Sequence, residues 1–336
     1  MNRRMLFVVL LACIAAGSAW AQSTPKASLL ALSKEESTVA IVDPATLKVV
    51  AKVPCGPDPH EVIASADGKL AFVSNYGGGK YNTISVIDLV AQKALPAIDL
   101  GVLHGAHGLA FAGGKLYFTA EMNKVIGTYD PVTQKVDWIL GTGQNRTHMV
   151  EVSKDLGTIF TTNVSSATVS IIEKVSFPGG PGGGTRTDWT ETVVPVGRGS
   201  EGFDISPDGK ELWVANAQDG TISIVDIASK KVTETLDANV KGANRLKFTR
   251  DGKRVFVASL ADGNVTVFDA STRKEMKRIK IGRGAAGILM QPDGARVFVA
   301  ASPDNYVAVI DLKTLEVIGR IEPGANPDGL AWTVRQ

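Results

Sequence analysis

The chain has four histidines, and three of them, His60, His107 and His148, recur at one position of a repeat of about 42 residues. His104 lies three residues ahead of that position in its own repeat. Three neutral imidazoles with an open fourth position suit Zn²⁺, Cu²⁺ or Fe²⁺. The next repeat places Glu201 at the same position, where a carboxylate can be a further ligand or a general base for metal-bound water. His104 is a second candidate catalytic group, as ligand or proton shuttle. Glu121 and Asp58 are acids able to orient imidazoles from behind. The plainer alternative is structural: a histidine at a repeated strand entry need only cap the strand and bond a carbonyl.

Later repeats bring cations. Arg198, Lys241, Arg245 and Arg283 fall at or near the same register, and a guanidinium grips carboxylate or phosphate in a bidentate way. That arc reads as an anchor for a small anionic ligand, unless the arginines simply pair with Glu121, Glu201 or Asp328. Asn244 and Asp328 occupy the histidine position in their own repeats and complete the candidate ligand-binding set.

Three signatures define the elements that must position these groups. An apolar strand ends in an acid, as in Val39–Asp43, Ile84–Asp88, Ile222–Asp226, Val265–Asp269 and Val307–Asp311, with degenerate copies ending at Asp130 and Glu173. A tight Asp-Gly turn recurs at Asp67, Asp208, Asp251 and Asp293, where Gly takes the positive φ of a hairpin. A strand ending in a small polar residue recurs as Phe72–Asn75, Ile159–Asn163, Trp213–Asn216 and Phe256–Ser259. Each unit is therefore four short antiparallel strands, A to D from the inside outward, and no helical periodicity is found outside the N-terminus.

Four-stranded units at this period read as propeller blades. Strand A begins near His60, His107, His148, Glu201, Asn244, Ala286 and Asp328, at spacings of 47, 41, 53, 43, 42 and 42. The expected fold is all-β, a seven-bladed β-propeller. Its last blade takes strand A from the C-terminus and strands B, C and D from Leu29–Ser33, Val39–Asp43 and Lys48–Val53. In this order the B–C and D–A loops share one face with the strand A entries. The mouth there would be ringed by the three histidines, by Pro57, His104, Asn145, Arg198, Lys241, Arg283 and Ala325 three residues earlier, and by Ser33, Asn75, Glu121, Asn163, Asn216, Ser259 and Ala301 at the ends of strand B. Two insertions break the period. The Gly/Pro-rich residues 174–190 suggest a mobile loop between strands C and D of the third blade. Tyr76–Tyr81, with three consecutive glycines, lengthens a loop able to overhang His60.

Phe72–Asn75, Trp213–Asn216 and the Asp-Gly-Lys turns resemble the YVTN-repeat β-propellers, a family of exported or cell-surface proteins, over residues 28–334. The resemblance implies the propeller fold. It leaves function open among surface-layer proteins, nucleic-acid binders, lactonases and lyases, haem-containing reductases and quinoprotein dehydrogenase subunits. Catalytic propellers of this kind place metal or reactive groups at one mouth of the central tunnel.

The N-terminus reads as an export signal over residues 1–21. Arg3 and Arg4 precede the apolar stretch Leu6 to Ala16, and Ala19-Trp20-Ala21 is a small-residue cleavage site before Gln22. A lipoprotein signal ending at Cys13 fits less well. Residues 22–336 are then one periplasmic or secreted domain, a monomer with no membrane span. Cleavage leaves 34 basic and 34 acidic residues with no long like-charge run, which argues against bulk binding to nucleic acid or membranes. Cys55 is the only cysteine left, so no internal disulfide can form.

Several chemistries are excluded. There is no Cys-x-x-Cys-His for haem attachment. Gly197–Gly202 and Gly282–Gly287 match G-x-G-x-x-G, but strand-like sequence follows where a nicotinamide fingerprint needs a helix. Three functions stay in play. The first is an exported propeller binding a small anionic ligand at a histidine-lined, metal-loaded mouth. The second is a metal-assisted lyase or lactonase using Glu201 or a histidine as base. The third is a scaffold for protein, glycan or nucleic acid, with nucleic acid last because only Tyr76 and Tyr81 offer stacking near the mouth.

Overall fold

A computed structural model describes residues 23–179 and 183–336. The expected signal segment, residues 1–21, lies outside the described residues. The rest forms seven four-stranded antiparallel sheets. Six use consecutive strands. The seventh pairs the C-terminal Pro327–Val334 with Ala27–Ser33, followed by Thr38–Asp43 and Lys48–Pro54. Leu29 faces Trp332 and Ala31 faces Leu330 across that seam. The ring is closed by the two chain ends, as the repeat count requires, and the seam completes the seventh blade so that Ala27–Ser33 is paired on both sides.

The hydrophobic core lies between blades. Trp213 and Ile224 of blade four pack with Leu246 and Val257 of blade five, and Phe256 and Val267 with Val297 and Ile310 of blade six. Strands B and C are covered on both faces, so they read as unbroken apolar runs. The acid that ends strand C caps the following turn: the Asp43 carboxylate accepts the Ala45 N–H at 2.9 Å, and Asp311 accepts those of Lys313 and Thr314.

The insertion at 174–190 departs from expectation. Strands C and D of blade three lengthen to Thr168–Pro178 and Thr185–Pro195 and stay paired from Lys174↔Trp189 to Pro178↔Thr185. Trp189 packs against Trp138 of blade two, with ring centroids 5.6 Å apart. The described part is an extended hairpin with an aromatic anchor, not a mobile loop.

Two features of the innermost strands build the mouth. Pairing between strands A and B slips in all seven sheets at the histidine position; in blade one Pro59 faces Asn75, and the next partners are Val62 and Val73. Such a bulge re-aims the side chains caught in it. The next residue is Gly108, Gly202, Gly287 or Gly329 in four blades, each lying against the carbonyl of the corresponding residue one blade on: His148, Asn244, Asp328 and His60. A Cβ at Gly108 would collide with the His148 carbonyl and come within 2.7 Å of Met149 Cα. Gly108→Ala should therefore destabilise the protein by roughly 1–3 kcal/mol. Denaturant unfolding checks this, and an unchanged midpoint would show that the strands are not in contact there.

Candidate metal centre

The rings of His107 and His148 lie 3.8 Å apart between centroids, and that of His60 lies 5.1 Å from His107. Histidines separated by 41 and 47 residues in the chain thus meet at one mouth. His107, His148 and Glu121 are buried at 2–3 % exposure, and one candidate ligand atom from each lies within 4.8 Å of the others. Two of the expected imidazoles are in this group. The third donor is the Glu121 carboxylate in place of His60.

The arrangement fits a metal ion. The Nδ1 atom of His107 is buried without a hydrogen-bond partner, which costs roughly 1–3 kcal/mol if nothing meets it. Two imidazoles and a carboxylate are a donor set for Zn²⁺ or Fe²⁺ with open positions. His148 Nδ1 is hydrogen-bonded to Glu121 Oε1. Its Nε2 lies 2.7 Å from Glu201 Oε2, close but out of hydrogen-bond alignment.

Protonation states follow from burial and neighbours. Burial, then the adjacent His148 and His60, holds His107 well below the usual imidazole range, so it is neutral as a ligand must be. Burial also opposes charge on His148, but the Glu201 and Glu121 carboxylates outweigh it and raise that group, so a metal ion binding there has to displace a proton held more firmly than usual. Burial would raise Glu201, yet His148, Arg245 and Arg146 bring it down to about 2. In this arrangement the Glu201 carboxylate faces the His148 ring and is placed to hold it.

Lys34 and Arg146 were not anticipated at the mouth, and Tyr76, expected there only as a stacking surface, takes a hydrogen-bonding role. The Tyr76 phenol donates to Glu121 Oε2 at 2.5 Å, and its ring lies 4.8 Å from His60 and 5.1 Å from His107. Burial and Glu121 raise its pKa, so it stays protonated. Arg146 approaches Glu121 at 3.4 Å and Glu201 at 3.9 Å, and Lys34 Nζ lies 2.8 Å from His60 Nε2. Lys34, Tyr76 and Glu121 share one structural position, the first residue after strand B. There the backbone N–H donates to the residue two before the histidine position, as in Lys34 to Asn326 and Tyr76 to Asp58, both at 3.1 Å, and Glu121 to Gly105 at 3.0 Å.

The expected ring at the ends of strand B was thus set one residue early everywhere except at Glu121. The asparagines there turn into their own blades: Asn75 Nδ2 donates to Thr83 Oγ1 and Asn216 Nδ2 to Ser223 Oγ, each at 2.9 Å. Arg146 occupies a left-handed position (φ 55°) that is glycine in four other repeats, at Gly105, Gly199, Gly242 and Gly284. A non-glycine residue there costs roughly 1–2 kcal/mol, so an arginine at that position was a legible signal.

Other expected groups divide. Arg245 is inside, bonded to Glu61 Oε1 at 2.5 Å and to Asn244 Oδ1 at 3.3 Å. Asp328 faces Lys34 at 3.4 Å. Arg198 and Arg283 stand outside the mouth, exposed and paired with Asp219 at 2.7 Å and Asp304 at 2.6 Å. His104 is also apart from the cluster, exposed, with its ring 2.9 Å from the Lys80 carbonyl. The residue three before the histidine position faces solvent, so the cationic arc does not assemble. Around the mouth, Asp58, Glu61, Glu121, Glu201 and Asp328 outnumber Lys34, Arg146 and Arg245 by five to three. The cavity over them has a volume of about 380 Å³.

Comparison with solved structures agrees with this fold: the chain is a seven-bladed β-propeller. It is similar to a functionally unknown protein from Desulfotomaculum acetoxidans, at 15% identity and a TM-score of 0.74, over 92% of this chain and 99% of that one. It is also similar to Kuenenia stuttgartiensis hydrazine synthase, at 18% identity and a TM-score of 0.67, over 81% of this chain and 89% of that one. At these identities the likeness is one of fold. No protein-family model and no curated protein matches the sequence. Among the described residues no helix is long and apolar enough to cross a membrane.

The two carboxylates around His148 give the metal-free protein a defined pH profile. A raised imidazole contributes stability below its ordinary value of 6.5 that is lost as pH climbs through the folded value. Glu201 contributes stability above its ordinary 4.5 that is lost as pH falls toward about 2. His148→Gln should abolish the alkaline loss, measured as denaturation midpoints above pH 6.5. Parallel profiles for the two proteins would contradict the assignment.

Proposed function

We propose that the chain is an exported β-propeller of the YVTN-repeat kind whose mouth holds one divalent transition-metal ion, Zn²⁺, Cu²⁺ or Fe²⁺, on His107, Glu121 and His148, and through it binds a small anionic ligand. The observation that carries this reading is the buried, unpartnered Nδ1 of His107 beside a second imidazole and a carboxylate. The excess of carboxylates at the mouth favours a cation over a free anion. A bound divalent ion supplies two positive charges and open coordination positions, which is what an anionic ligand then needs.

The chain's own residues have separate tasks. Tyr76 and Arg146 hold Glu121 from either side, fixing the carboxylate that faces His148. Arg245 is held by Glu61 and in turn stands 3.8 Å from Glu201. Asn244, Arg245 and Asp328 line the cavity wall available to the ligand. Export is supported by the Arg3–Arg4 start, the apolar stretch behind it and the small-residue site before Gln22. Burial pushes the Cys55 thiol up to about 12, which suits a lone cysteine that takes no part in the chemistry.

A metal-assisted lyase or hydrolase at the same mouth is the second reading. The Tyr76 phenol within the cavity favours it, because its proton, resting on the Glu121 carboxylate, is the one beside the metal position that could pass to a substrate.

Titration of tag-free protein with Zn²⁺ or Cu²⁺, followed by calorimetry and elemental analysis, tests the proposal. One equivalent should bind, and His107→Ala or His148→Ala should weaken binding by more than the roughly 100-fold that outer partners of a metal site can cost. Arg198→Ala and Arg283→Ala should leave it unchanged. Absence of uptake by the parent protein would remove the metal and the ligand site built on it.

A further inference from the structure

The three mouth histidines each meet a side chain from the blade before them, and in each case that side chain is the first residue after strand B. Glu121 of blade two meets His148 of blade three, Tyr76 of blade one meets His107 of blade two, and Lys34 of the closing blade meets His60 of blade one. The geometry is repeated, but the chemistry of the partner is not. A carboxylate beside His148 gives that ring an anionic partner. The phenol ring beside His107 leaves that histidine's Nδ1 free. An ammonium beside His60 does the opposite.

Lys34 Nζ lies 2.8 Å from His60 Nε2, and an ammonium has only hydrogens to offer. Nε2 must therefore accept with its lone pair, the same pair that a metal would use. The hydrogen of the neutral ring then sits on Nδ1, which lies 3.2 Å from the Asp58 carbonyl and donates to it. Both nitrogens of His60 are engaged within the protein, one of them by a cation, whereas those of His148 face carboxylates, which attract a metal ion instead of repelling it. Lys34 is itself fixed, with Asp328 accepting at 3.4 Å and the Asp58 carboxylate in ion-pair range at 3.8 Å, and its side chain is only 21% exposed.

We infer that Lys34 is a built-in cation that holds His60 out of the metal's coordination shell and so sets the donor set at two imidazoles and one carboxylate. The inference rests on the metal reading of the mouth and assigns the residue that decides its ligand number. Without the ammonium, the ring of His60, already 5.1 Å from that of His107, has a free nitrogen to offer. The site then gains a third imidazole and loses a nearby positive charge, and both changes favour Cu²⁺ or Zn²⁺.

The experiment loads the full chain with one equivalent of Cu²⁺ and counts coordinated imidazole nitrogens by pulsed electron paramagnetic resonance, with affinity read by competition against a chelator. The parent should show two imidazoles. Lys34→Met should show three and bind Cu²⁺ tighter by on the order of tenfold, the scale on which outer partners of a metal site act. Lys34→Met combined with His60→Gln should return to two. His60→Gln in the otherwise native chain tests the same exclusion without touching Lys34, and should leave the count at two. Three imidazoles in the parent, or two in Lys34→Met, would overturn the role given to Lys34 while leaving the metal site standing. A parent that takes up no Cu²⁺ at the mouth would overturn both.

Discussion

The close approach of the innermost strands is the constraint on which the rest of the molecule depends. In four of the seven blades the innermost strands meet where a side chain is absent, at Gly108, Gly202, Gly287 and Gly329, while Glu61, Met149 and Arg245 hold that position in the other three. The bulge one residue earlier frees backbone groups that must find partners. In the histidine blades a hydroxyl from strand B does this. Thr119 Oγ1 donates to the His148 carbonyl at 2.7 Å and accepts from the Gly108 N–H at 2.9 Å, and Thr162 Oγ1 donates to the Glu201 carbonyl at 2.6 Å. The mouth is thus fixed by the backbone, and the side chains there inherit their positions.

Because backbone geometry is repeated, chemical differences at the mouth come from side-chain identity alone. His107 and His148 are equally buried, yet burial keeps the first neutral while two carboxylates draw charge onto the second. Glu121 is held below the ordinary carboxylate range despite its burial by His148, Tyr76 and Arg146. Each member of the cluster depends on the next for its protonation state. Such a network is strongest when every member is satisfied, and two atoms in it are open: His107 Nδ1, and His148 Nε2, which has the Glu201 carboxylate close by but misaligned.

Much of the fold was legible in the sequence because each blade carries its own punctuation. The acid after strand C, the Asp-Gly turn and the apolar runs each have a local physical cause, and their count alone closes the ring. The gathering of His60, His107 and His148 followed from one repeated position. What was not legible depended on a single residue of register. Asn75, Asn163 and Asn216 are polar and look like mouth residues, but they bond within their blades, and in blade one it is the next residue, Tyr76, that reaches the mouth. Lys34 was hidden by that offset, and so was the bond from Tyr76 to Glu121. Arg198 and Arg283 were misleading for a related reason: their loop position faces solvent, where each finds an aspartate on the adjacent loop. The hairpin at 174–190 was masked by its Gly and Pro content, since the pairing of Trp189 with Trp138 is a tertiary contact with no local signal.

The propellers it resembles in shape share the architecture at low identity, so function must be argued from the mouth. The most direct test of the metal centre is anomalous diffraction from crystals grown with Zn²⁺, recorded on both sides of the zinc absorption edge. The account predicts one anomalous peak among His107, Glu121 and His148, with His60 still bonded to Lys34. A peak elsewhere on the molecule, or a vacant mouth in which His107 Nδ1 has turned onto a protein acceptor, would contradict it.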